Sequence, residues 1–195
     1  MQITYPVARL IASIAEAQAS AIRVPMSIAV ADEQGGPLYF GRMDGALPAS
    51  IELSVSKAFT AAILRMPTHQ VADLAQPGGM IFGIQNTHQG RIVTFGGGFP
   101  LRLGGMVRGA IGISGGTVEE DVRVGEAAVT ALEQMENWSR VIRGGIPNLR
   151  LKTGIGIRLE RILPEVLARM DMRLSTRDLD GILGAVYLAS QDETP

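Results

Sequence analysis

Apolar residues recur at helical spacing in two stretches near the start of this chain and at strand spacing between and after them. From residue 4 to 21, Val7, Leu10, Ile11, Ile14 and Ala15 fall on one face, and Ala17, Ala19 and Ala21 favour the same state, which predicts an opening helix. MSIAVAD then predicts a buried strand, EQGGP a turn and LYFGRM an antiparallel partner, together a hairpin. From Ser50 to Met66 the helical period returns in Val55, Ala58, Phe59, Ala62, Ile63 and Met66, until Pro67 stops it. HQVADLAQPGG predicts a short helix and loop. IFGIQNT, RIVTFGG and MVRGAIGIS predict three more strands, joined by HQG and by GFPLRLGG.

The next helix has a marked start. Thr117 and Glu120 form a T-x-x-E capping box, and Glu119 and Asp121 suit the positive end of a helix dipole. The element order is therefore α-β-β-α-β-β-β-α. Hairpin-length loops connect most of the strands, so an all-parallel doubly wound sheet is excluded. The expected class is α/β in the α+β sense, a mainly antiparallel five-stranded sheet flanked by helices.

After Arg140 the texture changes. RGGIPNLRLKTGIG is rich in turn formers and basic side chains, and helical patterns follow at residues 157 to 173 and 176 to 190, the second with a stripe of Leu179, Ile182, Leu183, Val186 and Tyr187. Residues 1 to 139 carry 9 basic and 12 acidic side chains, whereas residues 140 to 177 carry 9 basic and 3 acidic ones. This divides the chain into a domain over residues 1–140 and a basic, helical C-terminal extension over residues 141–195, suited to oligomerisation or to docking a partner enzyme or shell protein. Nucleic acid is a poor partner, because the basic cluster lacks interleaved aromatics and the net charge is -1.

The chain has 195 residues, 46% of them hydrophobic, ample for a core. No apolar run reaches the ~18 residues of a membrane span, and MQITYPVARL lacks a secretory pattern, so a soluble, cytoplasmic protein is expected. The absence of cysteine excludes disulfides, thiolate catalysis and cysteine-ligated metals.

Gly112-Ile113-Ser114-Gly115-Gly116 fits the G-x-S-x-G pattern of a hydrolase nucleophile elbow. A serine needs a base, however, and both histidines, His69 and His88, precede Ser114. A tight glycine turn is the simpler reading, and no catalytic residue is assigned. Arg42 and Asp44 follow a strand and can face a cleft mouth or form a local pair. Ser50, Ser54, Lys57 and Ala61 share one helix flank, where Lys57 can meet an anionic ligand or lay its stem over the core with its ammonium in water. The glycine runs Gly96 to Gly98 and Gly104 to Gly105 match no nucleotide-binding fingerprint. His69 and His88 lack an acidic partner at metal-ligand spacing; each could ligate haem iron or stay solvated.

VADEQG, RMDGALPAS, SKAFTAA, GGGFPL and GAIGISGG, with Asp121 shortly after, occur in the order of the motifs of the GlcG/HbpS family, which includes the C-terminal domain of PduO-type corrinoid adenosyltransferases. The resemblance covers residues 5 to 140. It implies a profilin-like fold, homo-oligomers, and a structural turn at GISGG. It also implies an accessory role in metabolic operons, with haem, a corrinoid or a small carboxylate as ligand, and links to cobalamin metabolism and microcompartments. The expected ligand site is Arg42, Asp44, Ser50, Lys57, Gly97, Gly98, Ser114 and Gly115. Haem-binding relatives present a histidine from the first helix, and residues 4 to 21 contain none. Two alternatives stand beside this reading: an enzyme acting on a small oxygenated metabolite with Lys57 or Asp44 in proton transfer, and an assembly subunit docking through its C-terminal helices.

Overall fold

A computed structural model describes residues 2–143 of the chain. The expected helices at 157–173 and 176–190 lie outside the described residues. The element order is α1 (Tyr5–Ala21), β1 (Ser27–Asp32), β2 (Pro37–Arg42), α2 (Ser50–Leu64), α3 (Thr68–Leu74), β3 (Gly98–Leu103), β4 (Met106–Ser114) and α4 (Val118–Arg143). The chain divides into two units, Met1–Leu132 and Glu133–Pro195. The first contains the whole sheet.

The sheet has four strands in the order β2-β1-β4-β3, with every neighbouring pair antiparallel. Two of the expected strands are therefore replaced by one. IFGIQNT is a run of turns with a 3-10 turn at Ile84–Asn86, and RIVTF carries no ladder hydrogen bonds. The physical reason is a concentration of left-handed backbone at Gly83, His88, Gln89 and Gly90, with φ of 90, 51, 59 and 78°, which turns the chain where a strand needs it extended. GFPLRL, expected as a loop, is β3 instead. Gly104 and Gly105 have φ of 62 and 76°, the positive pair that a two-residue type I′ hairpin requires, and they bring Leu103 opposite Met106.

Alternation along β1 and β4 sorts side chains between two faces. Ala29 and Ala31 of β1 and Ala110 of β4 pack with Ala58, Ala61 and Ala62 of α2, so small residues on both sides let helix and sheet approach closely. Gly112 and Gly98, paired across β4 and β3, take this to its limit. A Cβ on Gly112 would collide with the Ser54 carbonyl oxygen, and one on Gly98 would lie 2.6 Å from the Lys57 carbonyl oxygen. Ile28, Val30, Ile111 and Ile113, all buried, face the other way. On that side Gly109 meets Ile3, just before α1, and Phe99 packs into the space left by Gly125 of α4. Helix α2 thus covers one face, and α1 and α4 the other.

The expected capping box is formed in full. The Thr117 N–H donates to Glu120 Oε2 at 2.8 Å, and the Glu120 N–H donates to Thr117 Oγ1 at 3.2 Å. Thr117→Ala is expected to lower the unfolding free energy by about 1 kcal/mol in urea titrations, with Glu119→Ala, outside the box, changing it by less than half as much.

Candidate functional site

The segment from Ser50 to Ala61 is more deeply buried than an amphipathic flank would be: Ser50, Ser54, Lys57 and Ala61 are all enclosed. Lys57 is fully buried, and it neither snorkels to water nor stands free for a ligand. Its side chain leaves α2 beside β4 and passes the end of the sheet. There Nζ donates to Asp121 Oδ2 at 2.6 Å and to the Ile113 carbonyl at 2.8 Å. Its third side faces the Phe95 ring, whose centroid is 4.9 Å away, a cation–π contact.

Asp121 completes the arrangement from the first turn of α4. Its Oδ1 accepts the Gly116 N–H at 3.1 Å, so one carboxylate holds both the lysine and the turn before its own helix. Lys57 and Asp121 thereby tie α2 to α4 from opposite faces of the sheet. Burial pushes the Lys57 ammonium below its usual range and the Asp121 carboxyl above its own, while their mutual attraction and hydrogen bond oppose both shifts. Gly97 is shaped by the same tie. With φ of 110°, it accepts the Ile113 N–H at its carbonyl, and a Cβ there would stand 2.8 Å from Lys57 Nζ. Asp121 is the residue that spacing could not assign to Lys57, since 64 positions separate them.

The remaining residues of the expected site lie at the same end of the sheet, spread from Arg42 on the β2 edge to Gly98 on the β3 edge. Register places Ser27 opposite both Arg42 and Ser114. Ser27 and Ser50 share a hydroxyl hydrogen bond of 2.8 Å, and the Ser50 hydroxyl also lies 2.6 Å from the Leu47 carbonyl. Arg42 Nη2 donates to the Ala46 carbonyl at 2.7 Å, closing the turn that exposes Asp44. Gly115, at φ 149°, passes so close to the segment leading into β1 that a Cβ would lie 2.5 Å from the Pro25 carbonyl oxygen. GISGG is thus a close-packed turn, and its following amides are engaged: Gly116 with Asp121 and Thr117 with Glu120. The Gly98 N–H likewise donates to Thr68 Oγ1 at 2.9 Å.

The two histidines lie apart. His88 is exposed, with Nδ1 3.0 Å from the Thr87 hydroxyl, and its ring meets Phe59, which also packs on Gly35 in the β1–β2 turn at the far end of the sheet. His69, half-buried at the start of α3, lies near the Lys57 end. Its ring stands 5.8 Å from that of Phe99, and its Nδ1 is buried with no hydrogen-bond partner. Among the described residues no group of three or more acidic or histidine side chains could hold a metal ion, and no helix is long and apolar enough to cross a membrane.

These features define an α+β domain whose sheet end is closed by a buried cation and carboxylate. Residues 3–130 match the family model described as "Haem degrading protein HbpS-like", and the chain belongs to that family. It is 44% identical over 133 residues to a 15.0 kDa protein from the dhaT-dhaS intergenic region of Citrobacter freundii, covering 68% of this chain and 94% of that one. The solved structure of the Klebsiella pneumoniae protein ORFY is similar with a TM-score of 0.66 and 38% identity, over 68% of this chain and 92% of that one. The solved structure of the PduOC:Heme complex is similar with a TM-score of 0.61 and 36% identity, over 63% of this chain and 88% of that one.

Proposed function

We propose that this protein is a ligand-binding accessory protein whose ligand is a tetrapyrrole, and that it takes haem in preference to a corrinoid or a small carboxylate. The observation that carries this reading is the likeness to the haem complex of PduOC, which spans nearly two thirds of the chain at 36% identity. The geometry supports binding over turnover. Lys57 is enclosed by Asp121, Ile113 and Gly97, and its ammonium is already committed, which leaves it no path to a substrate proton. Asp44 stands exposed on a turn, without the burial that tunes a catalytic carboxylate.

On this reading Arg42, Asp44, Ser50, Ser114 and Gly115 border the ligand at the sheet end, and Lys57, Gly97 and Gly98 hold that end rigid. The fold is read as profilin-like. The protein acts as a homo-oligomer in the cytoplasm, with residues 141–195 as the docking segment for further copies or a partner enzyme. Titration of the purified full chain with haemin is expected to give a Soret band that saturates. It should also raise the melting temperature, because a ligand at about 100 times its Kd adds about 2.7 kcal/mol to the native state. Hydroxocobalamin and glycolate, run in parallel, are expected to leave the melting temperature unchanged. A chain that stays colourless and unstabilised with haemin would overturn the reading.

A further inference from the structure

The two edges of the sheet are guarded unequally. On β3 the Gly98 N–H donates to Thr68 Oγ1 at 2.9 Å, Pro100 has no N–H to offer, and Arg102 sets an exposed charge on the edge. Such devices keep a further strand from adding to a sheet. On β2 they are confined to the start, where Pro37 lies beside a shift in register between Val30 and Ala31. From Tyr39 onward the pairing with β1 is regular. No charged residue stands between Pro37 and Gly41, and Phe40 is 42% exposed. Arg42 turns its guanidinium back to the Ala46 carbonyl.

Which main-chain groups β2 leaves open follows from the alternation of an antiparallel ladder. The Met43 N–H donates to the Met26 carbonyl at 3.0 Å, in the register that continues Ser27 opposite Arg42. Gly41 and Tyr39 therefore bond β1 as well, and Phe40 and Arg42 turn their N–H and C=O away from it. The far side of β1 agrees with this phase: the Ile113 N–H donates to the Gly97 carbonyl, so Ile113 bonds toward β3 and Ser114 toward Ser27. No other backbone group among the described residues bonds the outward pair on β2. Phe40 lies opposite Ala29 and so on the α2 side of the sheet. Ile51, one turn before the Val55 that packs with Ala29 and Ala31, is 38% exposed, so the edge carries apolar surface beside its open main chain.

Resting on the homo-oligomer reading above, we propose that the β2 edge is the contact between two copies of this chain, paired antiparallel about a two-fold axis at Gly41. A second copy supplies an edge with the same two outward residues, and one axis matches the donors and acceptors of Phe40 and Arg42 to those of Arg42 and Phe40 across it. Each Arg42 then faces an aromatic ring and not its own like. Light scattering and sedimentation of the full chain test this in wild type, Phe40→Lys and Phe40→Glu, with circular dichroism to confirm the fold. Phe40→Lys sets a cation opposite Arg42; it is expected to halve the oligomer mass and to raise the dissociation constant at least about 30-fold, the loss of a central anchor. Phe40→Glu sets a carboxylate there and should keep the wild-type mass. The chain has no cysteine, so Phe40→Cys adds a readout that leaves the edge uncharged. A short bismaleimide should link its copies in pairs, and should leave Met80→Cys, at an 87% exposed position, unlinked. An oligomer whose mass Phe40→Lys leaves unchanged and whose Phe40→Cys form does not link would overturn the β2 contact while leaving the homo-oligomer intact. Dissociation of Phe40→Glu as well would overturn the register. A monomeric wild type would overturn both readings, and a maleimide-shielded Phe40→Cys in that monomer would assign the edge to the chain's own residues 144–195.

Discussion

Lys57→Met is expected to lower the unfolding free energy by about 3–5 kcal/mol, because it leaves the Asp121 carboxylate buried opposite an apolar side chain. The size follows from which half of the interaction is lost. A buried ion pair gains little net stability over well-packed apolar groups, but a single buried charge retains its full desolvation cost. Lys57→Met with Asp121→Leu is therefore expected to recover most of the loss, falling within about 2 kcal/mol of wild type, the remainder being the hydrogen bonds of the Gly116 N–H and the Ile113 carbonyl. Urea titrations of both single variants and the double variant give the coupling energy directly. A double variant as unstable as the sum of its parts would show that the two side chains act independently.

The same variant carries a pH signature. Burial already raises the folded pKa of Asp121 above its ordinary 3.8, and removing Lys57 removes the attraction that opposes that shift, so it rises further. The folded protein then binds more protons than the unfolded chain between 3.8 and the raised value. A raised carboxyl pKa contributes stability that is fully present below 3.8 and is lost as pH rises through the folded value. The difference between Lys57→Met and wild type should accordingly narrow as titrations move from about pH 8 to about pH 5. A gap that stays constant over that range would mean that Asp121 is hydrated in the variant.

Local patterns revealed most of the elements, and long-range partners revealed none of the site's electrostatics. The stripe of Val7, Leu10 and Ile11, the hairpin of MSIAVAD with LYFGRM, and the Thr117–Glu120 box are all set by neighbours within a few residues, and each is present. IFGIQNT misleads because a short apolar run satisfies a strand pattern even where left-handed residues fold it into turns. GFPLRLGG misleads in the opposite sense. Its Gly104–Gly105 pair is a hairpin signal, and Pro100 sits on the edge strand β3, where a missing N–H breaks no ladder. Lys57 carried two opposed readings, an anion contact or a snorkelling side chain, and the fold chose a third. No local rule could find it, since α3, β3 and β4 lie between Lys57 and Asp121 in the chain. Of the segment 141–195, expected to dock, residues 144–195 lie outside the described residues.

Gly112→Ala is expected to destabilise the domain by about 2–4 kcal/mol, the upper range of overpacking effects, although it adds one methyl group. Gly112 is an ordinary strand residue, so backbone strain does not enter. The cost is steric: the new Cβ would run into the Ser54 carbonyl oxygen and stand 2.5 Å from the Ala58 nitrogen. These are main-chain atoms of α2, and they cannot rotate away as a side-chain tip could. The helix must lift, and lifting it loosens the alanine contacts of Ala58 and Ala61 with the sheet and draws Lys57 from Asp121. The contrast is Gly83→Ala, where φ is 90° but nothing lies within 4 Å of the added carbon. That variant isolates the left-handed backbone cost, roughly 1–2 kcal/mol for an L-residue. Urea unfolding should therefore rank Gly112→Ala below Gly83→Ala. Adding Lys57→Met to Gly112→Ala should cost less than it does in wild type, since the ion pair is already stretched. Equal losses in the two glycine variants, with additive effects of Lys57→Met, would mean that α2 can retreat from the sheet without disturbing the buried pair.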